Sequence, residues 1–390
     1  MRNLRCVKYE AEDMKQLNNP FVVYGYKGPK YFCDRAEETK KIVQGLSNER
    51  HITLIAPRRI GKTGLIHHTF DTIRRKQPGV CCIYLDILAT KTLNQFVQLL
   101  AKNILGRLDT PTQSALKKIQ DLFSSFRPTV TFESNSGMPT FSLDIAPNQE
   151  EQSLQRIFEY LKTSEKRCYI AIDEFQQITK YPGADTEALL RSFIQFVPNV
   201  YFIFAGSQQH MMSDMFLSPE RPFYQGSQIV NIKEIQEDTY REFANSFFMA
   251  RGQTLPESVF HYLYDKVEGQ TWYLQAALNR IYSNQPGEIT DREVDAAIQE
   301  LIDEQEVAFE NYYSSMTANQ AALLLAIAKE KSVKSPMAQA FIQKHRLPAL
   351  SSIKAALQSL ADSQYIYQYN GAYTVYDRFF GMWLRERVEG

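Results

Sequence analysis

Residues 56–63 read Ala-Pro-Arg-Arg-Ile-Gly-Lys-Thr, directly after the apolar run HITLIA (51–56) and directly before sequence that suits a helix over roughly 62–76. A strand, a tight basic loop and a helix start in that order can wrap an anion in main-chain N–H groups, with the positive end of the helix dipole behind them. The spacing is that of a phosphate-binding loop, formed by Ala56, Pro57, Arg58, Arg59, Ile60, Gly61, Lys62 and Thr63 and running into Gly64. Ala56 stands where this spacing usually has its first glycine, which demands backbone angles open to a side chain. Gly61 lets the chain turn closely around phosphate. Lys62 can place its ammonium beside a β- and γ-phosphate, and Thr63 can offer a hydroxyl to Mg²⁺. Arg58 and Arg59 can reach phosphate, a domain boundary or solvent.

The complementary chemistry lies about 110 residues downstream. Cys168–Asp173 (CYIAID) is an apolar strand candidate that ends in Asp173-Glu174. An aspartate at a strand's C-terminal edge can hold Mg²⁺ directly or through water, and the adjoining glutamate can orient or deprotonate an attacking water. With Lys62 and Thr63 upstream, the set predicts a nucleoside triphosphate site for ATP with Mg²⁺. The run YFIFAG (201–206) ends in Ser207-Gln208, where a polar residue can sense the terminal phosphate or simply cap a turn. Asp86, at the end of VCCIYLD, reads as a local turn or domain contact.

Further apolar runs at 80–86 and 227–232 join those at 51–56, 168–173 and 201–206, with helix-length segments at 91–106, 150–163 and 185–196 between them. Continuous apolar strands imply a sheet covered on both faces, and the alternation implies right-handed crossovers in a parallel α/β domain. The acidic strand then lies beside the strand that feeds the phosphate loop or one position away; both orders remain open. Residues 111–148 interrupt the alternation, and two short alternating runs around SNSG (134–137) predict a β-hairpin insertion that can cover the nucleotide or contact a partner; the other reading is an irregular excursion from the sheet edge.

From about residue 234 the pattern turns helical, including a Thr290–Glu293 capping-box spacing before a long helix-forming stretch. Three short helices then precede YIYQY, Asn370-Gly371 and AYTVY, a strong hairpin signal. Three helices and a hairpin predict a winged-helix module. The expected division is 1–233 for the α/β domain, 234–312 for a helical lid-like domain and 313–390 for the winged helix.

Composition narrows the context. Lysine plus arginine and aspartate plus glutamate both total 44, so overall charge argues for neither nucleic acid nor an acidic membrane. The N-terminal residues do not read as a signal peptide, and no run approaches the length needed to span a bilayer. Cysteines 6, 33, 81, 82 and 168 contain no CxxC pair, and the six histidines have no metal-binding spacing. The expected compartment is a reducing cytoplasm.

At this point the residues resemble the archaeal-type ATPase family of P-loop proteins, related to the AAA+ and STAND ATPases and also common in bacteria. The likeness begins near YFCDRAEE, where Phe32, Arg35 and Glu38 match a motif ahead of the phosphate loop and Asp34 occupies its usual glycine. It continues through APRRIGKT, AIDEFQQI, FIFAGSQ and MFLSPERPFYQG, and covers most of residues 30–285. The resemblance implies an AAA+-like α/β fold followed by helical and winged-helix domains. It implies Lys62 and Thr63 as triphosphate and magnesium contacts, Asp173 and Glu174 as the Walker B pair, Arg35 near the nucleotide or a domain junction, and Ser207 as the polar position after the fourth strand. The family's later arginine has only Arg221 as a substitute here, and Thr271 replaces the proline of a glycine–any–proline step that begins at Gly269.

These features lead to an ATP-dependent switch with slow hydrolysis. The alternatives are a nucleotide-regulated DNA-binding protein and a non-hydrolysing protein-interaction scaffold. Residues 320–390 hold nine Lys/Arg against five Asp/Glu, an excess that suits phosphate contacts, while a protein-binding wing explains the same module. No residue identifies an oligomeric state or an arginine donated by a second subunit.

Overall fold

The computed structural model describes residues 17–104, 107–108, 126–132, 139–145, 149–164, 166–183, 185–369 and 371–389. The chain divides into two compact units, Tyr24–Tyr240 on one side and Met1–Val23 with Arg241–Gly390 on the other.

The first unit is built on five strands: β1 (Ile52–Ile55), β2 (Cys81–Asp86), β5 (Cys168–Asp173), β6 (Val200–Gly206) and β7 (Gln228–Asn231). All neighbours are parallel, in the order β2-β5-β6-β1-β7. The acidic strand β5 is thus one position away from β1, with β6 between them. Strands β3 (Phe126–Phe132) and β4 (Pro139–Ile145) pair antiparallel as a separate two-stranded sheet, from Phe126 opposite Ile145 to Phe132 opposite Pro139. The expected SNSG turn between them lies outside the described residues.

Period-two alternation explains why the central strands are apolar throughout. Ile170 and Ile172 of β5, with Phe202 and Phe204 of β6, face one core. Tyr169 and Ala171, with Ile203 and Ala205, face the other. The first core is closed by α3 (Leu93–Ile104), α4 (Glu150–Thr163), α5 (Thr186–Ile194) and α6 (Gln209–Leu217). The second is closed by α1 (Ala36–Ser47) and α2 (Lys62–Lys76), through Ile42, Leu46, Leu65, Ile66, Phe70 and Ile73. Each large apolar side chain buried in this way contributes about 1.5–3 kcal/mol. Layers on both faces fix the sheet, so the loops at the strands' C-terminal ends share one edge.

Helix α7 (Glu237–Met249) crosses from one unit into the other. In the second unit follow α8 (Glu257–Lys266), α9 (Thr271–Asn284), α10 (Asp291–Asp303) and α11 (Glu306–Ser314). The Thr290–Glu293 capping box forms as its spacing predicts. The helix-forming stretch beyond it breaks at Glu304 and Gln305, giving two helices. Then come α12 (Ala318–Glu330), α13 (Gln339–Lys344), α14 (Leu350–Asp362), the antiparallel strands β8 (Ile366–Tyr369) and β9 (Ala372–Val375), and α15 (Arg378–Glu389). Three helices and a hairpin form the expected winged helix, with α12 packed on α14 and α15. Helix α15 is an addition that sequence reasoning missed.

One buried cation ties this unit together. Arg378 donates to the Thr374 hydroxyl (2.9 Å), the Val375 carbonyl (2.8 Å) and the Tyr367 hydroxyl (3.0 Å), and pairs with Glu268 at 2.7 Å. Glu268 directly precedes Gly269 at the turn into α9. Among the described residues, no helix is long and apolar enough to cross a membrane.

Candidate functional site

The phosphate loop leaves β1 at a buried Ala56, whose methyl packs in the core beside Ile60 and Leu65. Ala56 is not among the residues with positive φ, so alanine costs nothing in backbone angle there. The left-handed positions fall later, at Arg59 (φ 64°) and Gly61 (φ 98°). Gly61 caps α2, which begins at Lys62. Pro57 is buried, while Arg58 and Arg59 are half-buried.

Arg35 braces this loop from behind. Its guanidinium, 3% exposed, donates to the Ile60 carbonyl at 3.0 Å and the Lys233 carbonyl at 2.5 Å, and pairs with Glu38 at 3.1 Å. A planar fork with several donors suits this role better than lysine would. Asp34, in the position where the resembled motif carries glycine, has φ 51°, and Arg35 follows at 67°. Aspartate is among the residues that tolerate this region, so the turn survives the substitution. The Phe32 ring covers Gly64 so closely that a Cβ there would come within 3.1 Å of it.

The two distant segments meet. The Thr63 hydroxyl donates to Asp173 Oδ2 at 2.7 Å, and Lys62 Nζ lies 4.0 Å from Glu174 Oε1. Thr63 is exposed, whereas Asp173 is buried. Asp173 Oδ1 accepts the Glu174 main-chain N–H at 3.0 Å. Glu174 itself sits at φ 57°, a left-handed angle that a side chain adopts at some cost and that often marks a functional residue. Its Oε2 accepts from the Ser207 hydroxyl at 2.7 Å and from Gln176 Nε2 at 2.5 Å. Ser207 follows β6, so the interposed strand delivers it directly to the acidic pair.

A hydroxyl and a carboxylate that converge beside a lysine and a positive-φ loop form a donor set that fits Mg²⁺ and a polyphosphate. Every sequence-predicted member of the set, from Ala56 to Gly64 with Asp173, Glu174 and Ser207, lies at the C-terminal edge of the sheet, on strand ends, the loops that follow them or the first turn of α2. Arg35 lies behind the loop, its fork directed at main-chain carbonyls. Asp86 accepts the Leu88 N–H at 2.9 Å in a local turn. Arg221 pairs with Glu187 and lies 3.5 Å from Asp214.

Sequence reasoning missed two polar contributors. Tyr84 of β2 donates to Asp173 Oδ2 at 3.0 Å, the oxygen that Thr63 also contacts. Burial and the Asp173 charge push its phenol well above the usual range, so it remains a donor. Gln176, 1% exposed in the 3₁₀ turn Phe175–Lys180, holds Glu174. The available signals were a hydroxyl inside an apolar strand and an amide just after the acidic pair.

Comparison with known proteins identifies the fold and the family. A family described as an ATPase domain predominantly from Archaea matches residues 32–277, and one described as "Probable winged helix domain" matches residues 307–386. No curated protein matches the sequence. Among solved structures, the Walker-type ATPase PABY2304 of Pyrococcus abyssi is similar, with TM-score 0.63 and 19% identity over 94% of this chain and 99% of that one. The Aeropyrum pernix ORC2 protein in its ADPNP–ADP complexes gives TM-score 0.57 and 13% identity, over 95% of this chain and 96% of that one. The Aeropyrum pernix ORC1 protein in complex with DNA gives 0.53 and 12%, over the same shares. At such identities the likeness establishes a shared fold.

Proposed function

The chain belongs to the ATPase domain family predominantly from Archaea, and from that premise we propose that it binds ATP with Mg²⁺, hydrolyses it slowly and uses the nucleotide as a conformational switch. The observation that carries this reading is the convergence of Thr63 with Asp173, beside Lys62 and Glu174. Lys62 would hold the β- and γ-phosphates within the amides of residues 56–64, and Thr63 and Asp173 would hold Mg²⁺. The metal would neutralise phosphate charge. Glu174 would orient or deprotonate the attacking water, and Ser207 would hold Glu174 in place. The working division is 1–233 for the ATPase domain, with the hairpin insertion near 111–148, 234–312 for a lid-like helical domain and 313–390 for the winged helix.

Radiolabelled ATP binding and phosphate release, compared between wild type, Lys62→Ala and Glu174→Gln, test this reading. Lys62→Ala should weaken binding, and Glu174→Gln should bind normally but lose turnover by about 100-fold or more. Equal affinity in wild type and Lys62→Ala overturns the site. Binding without multiple turnovers in wild type selects the non-hydrolysing scaffold.

A second reading, a nucleotide-regulated DNA-binding protein, has its own support. Lys329, Lys331, Lys334, Lys344, Arg346 and Lys354 of the winged helix are all exposed, and one structural neighbour is described in complex with DNA. Salt-dependent DNA binding by the full chain would favour it. Absence of binding at low salt leaves a protein partner as the role of this module.

A further inference from the structure

Both oxygens of Asp173 are already engaged by the chain. Oδ1 takes the main-chain N–H of Glu174, and Oδ2 takes the hydroxyls of Thr63 and Tyr84. Thr63 comes from the phosphate loop, so its contact with Asp173 joins the two halves of the site. Tyr84 has a different origin. It comes from β2, where it pairs in register with Ala171, two residues before Asp173 on the neighbouring strand. Its side chain therefore runs along the sheet face toward the C-terminal edge and reaches the carboxylate from the side opposite the loop of β6.

The Tyr84 ring is itself held. His67, on the first turns of α2, packs against it with ring centroids 4.6 Å apart. Tyr26 lies nearly parallel to His67, with ring centroids 6.3 Å apart and an interplanar angle of 13°. The Tyr26 hydroxyl is anchored to His68 Nδ1 at 3.1 Å and donates to Asp71 at 3.2 Å. A phenol needed only to fill space between β2 and α2 would not require its hydroxyl on the same carboxylate oxygen that Thr63 of the loop contacts.

We propose that Tyr84 is a positioning residue for Asp173, fixing the carboxylate so that it meets a divalent cation held by Thr63. This rests on the Mg²⁺-ATP reading above and adds a residue to it. Tyr84 does not touch substrate or metal. Its hydroxyl holds one Asp173 oxygen in place and occupies one of its lone pairs, leaving the remaining lone pairs in a fixed direction. Partners that orient a metal-binding carboxylate commonly alter metal affinity 10- to 100-fold when removed.

The test compares full-length wild type, Tyr84→Phe and Lys62→Ala by equilibrium dialysis with radiolabelled ATP, first in EDTA and then across a Mg²⁺ series. Tyr84→Phe keeps the ring and removes only the donor. The expected result is unchanged ATP affinity in EDTA and a Mg²⁺ requirement for tight binding raised about tenfold or more. His67→Ala, which frees the Tyr84 ring, should raise the requirement in the same direction by a smaller factor. A Mg²⁺ requirement in Tyr84→Phe equal to or below that of wild type overturns the proposal. So does an equal loss of ATP affinity with and without metal, which is the mark of a merely structural role. Failure of the underlying reading is separately visible: wild type would then bind ATP no better than Lys62→Ala, whatever Tyr84 does.

Discussion

Thr63 Oγ1 and Asp173 Oδ2 lie 2.7 Å apart although 110 residues separate them in the chain. The contact depends on a hydroxyl at 63 and on nothing else about that side chain. Thr63→Ser should keep Mg²⁺-dependent ATP binding within a few-fold of wild type, and Thr63→Ala should weaken it. A hydrogen bond to a charged group is worth about 1.5–3 kcal/mol, so the loss should be on the order of 10- to 100-fold. Isothermal titration in the presence of Mg²⁺ reads both, and equal affinities for the two variants would exclude a role for the hydroxyl.

Ala56 is buried at an ordinary backbone angle, so restoring glycine there gains nothing in geometry. Ala56→Gly should lose a packed methyl and add freedom to the unfolded chain, costing about 1–2 kcal/mol of stability. ATP affinity should stay unchanged. Denaturant melts check the first statement. Tighter ATP binding by the variant would mean that the alanine does obstruct the loop.

Glu187 supplies a pH dependence. Burial pushes its carboxyl up to about 7, against the lowering effect of Arg221, with Asp185 and Asp214 raising it further. Between about pH 4.5 and 7 the folded chain therefore keeps a proton that the unfolded chain has released. The stabilisation is complete below the lower value and is lost as pH rises through the upper one. Glu187→Gln should flatten this slope, so the Tm of the variant should gain on wild type from pH 5 to pH 8. Parallel pH profiles would show that Glu187 does not titrate in this way.

Arg378 satisfies two hydroxyls and a carbonyl as well as Glu268. Arg378→Met retains much of the bulk and strands those acceptors, which should cost about 2–3 kcal/mol. Hydrogen exchange should rise at both the Glu268–Gly269 turn and the β8–β9 hairpin. Exchange raised in the hairpin alone would show that the Glu268 pair contributes no coupling between them.

The parts of this protein that were legible in the sequence are those set by local chemistry. Strand β1, the loop through Thr63 and the Asp173-Glu174 strand tip announce themselves through apolar runs that end in polar residues, and the Thr290 capping box through a three-residue spacing. The order β1-β6-β5 did not, because either placement of the acidic strand preserves the same runs. Tyr84 was hidden for the same reason. Its partner depends on which strand lies beside β2, and a tyrosine in VCCIYLD looks like any other β-former. Helix α15 followed the hairpin unnoticed because its aromatic residues suited hairpin packing equally well. The braced role of Arg35 rests on carbonyls at Ile60 and Lys233, which no side-chain pattern records.

The interposition of β6 has a wider consequence. Its tip abuts the machinery supplied by both flanking strands, so one short segment is exposed to whatever happens on either side. A shift of the loop after β1 and a shift of the acids after β5 would press on the same two or three residues around Ser207. Helix α6 begins immediately afterwards, so a displacement of that tip is passed directly into the helix.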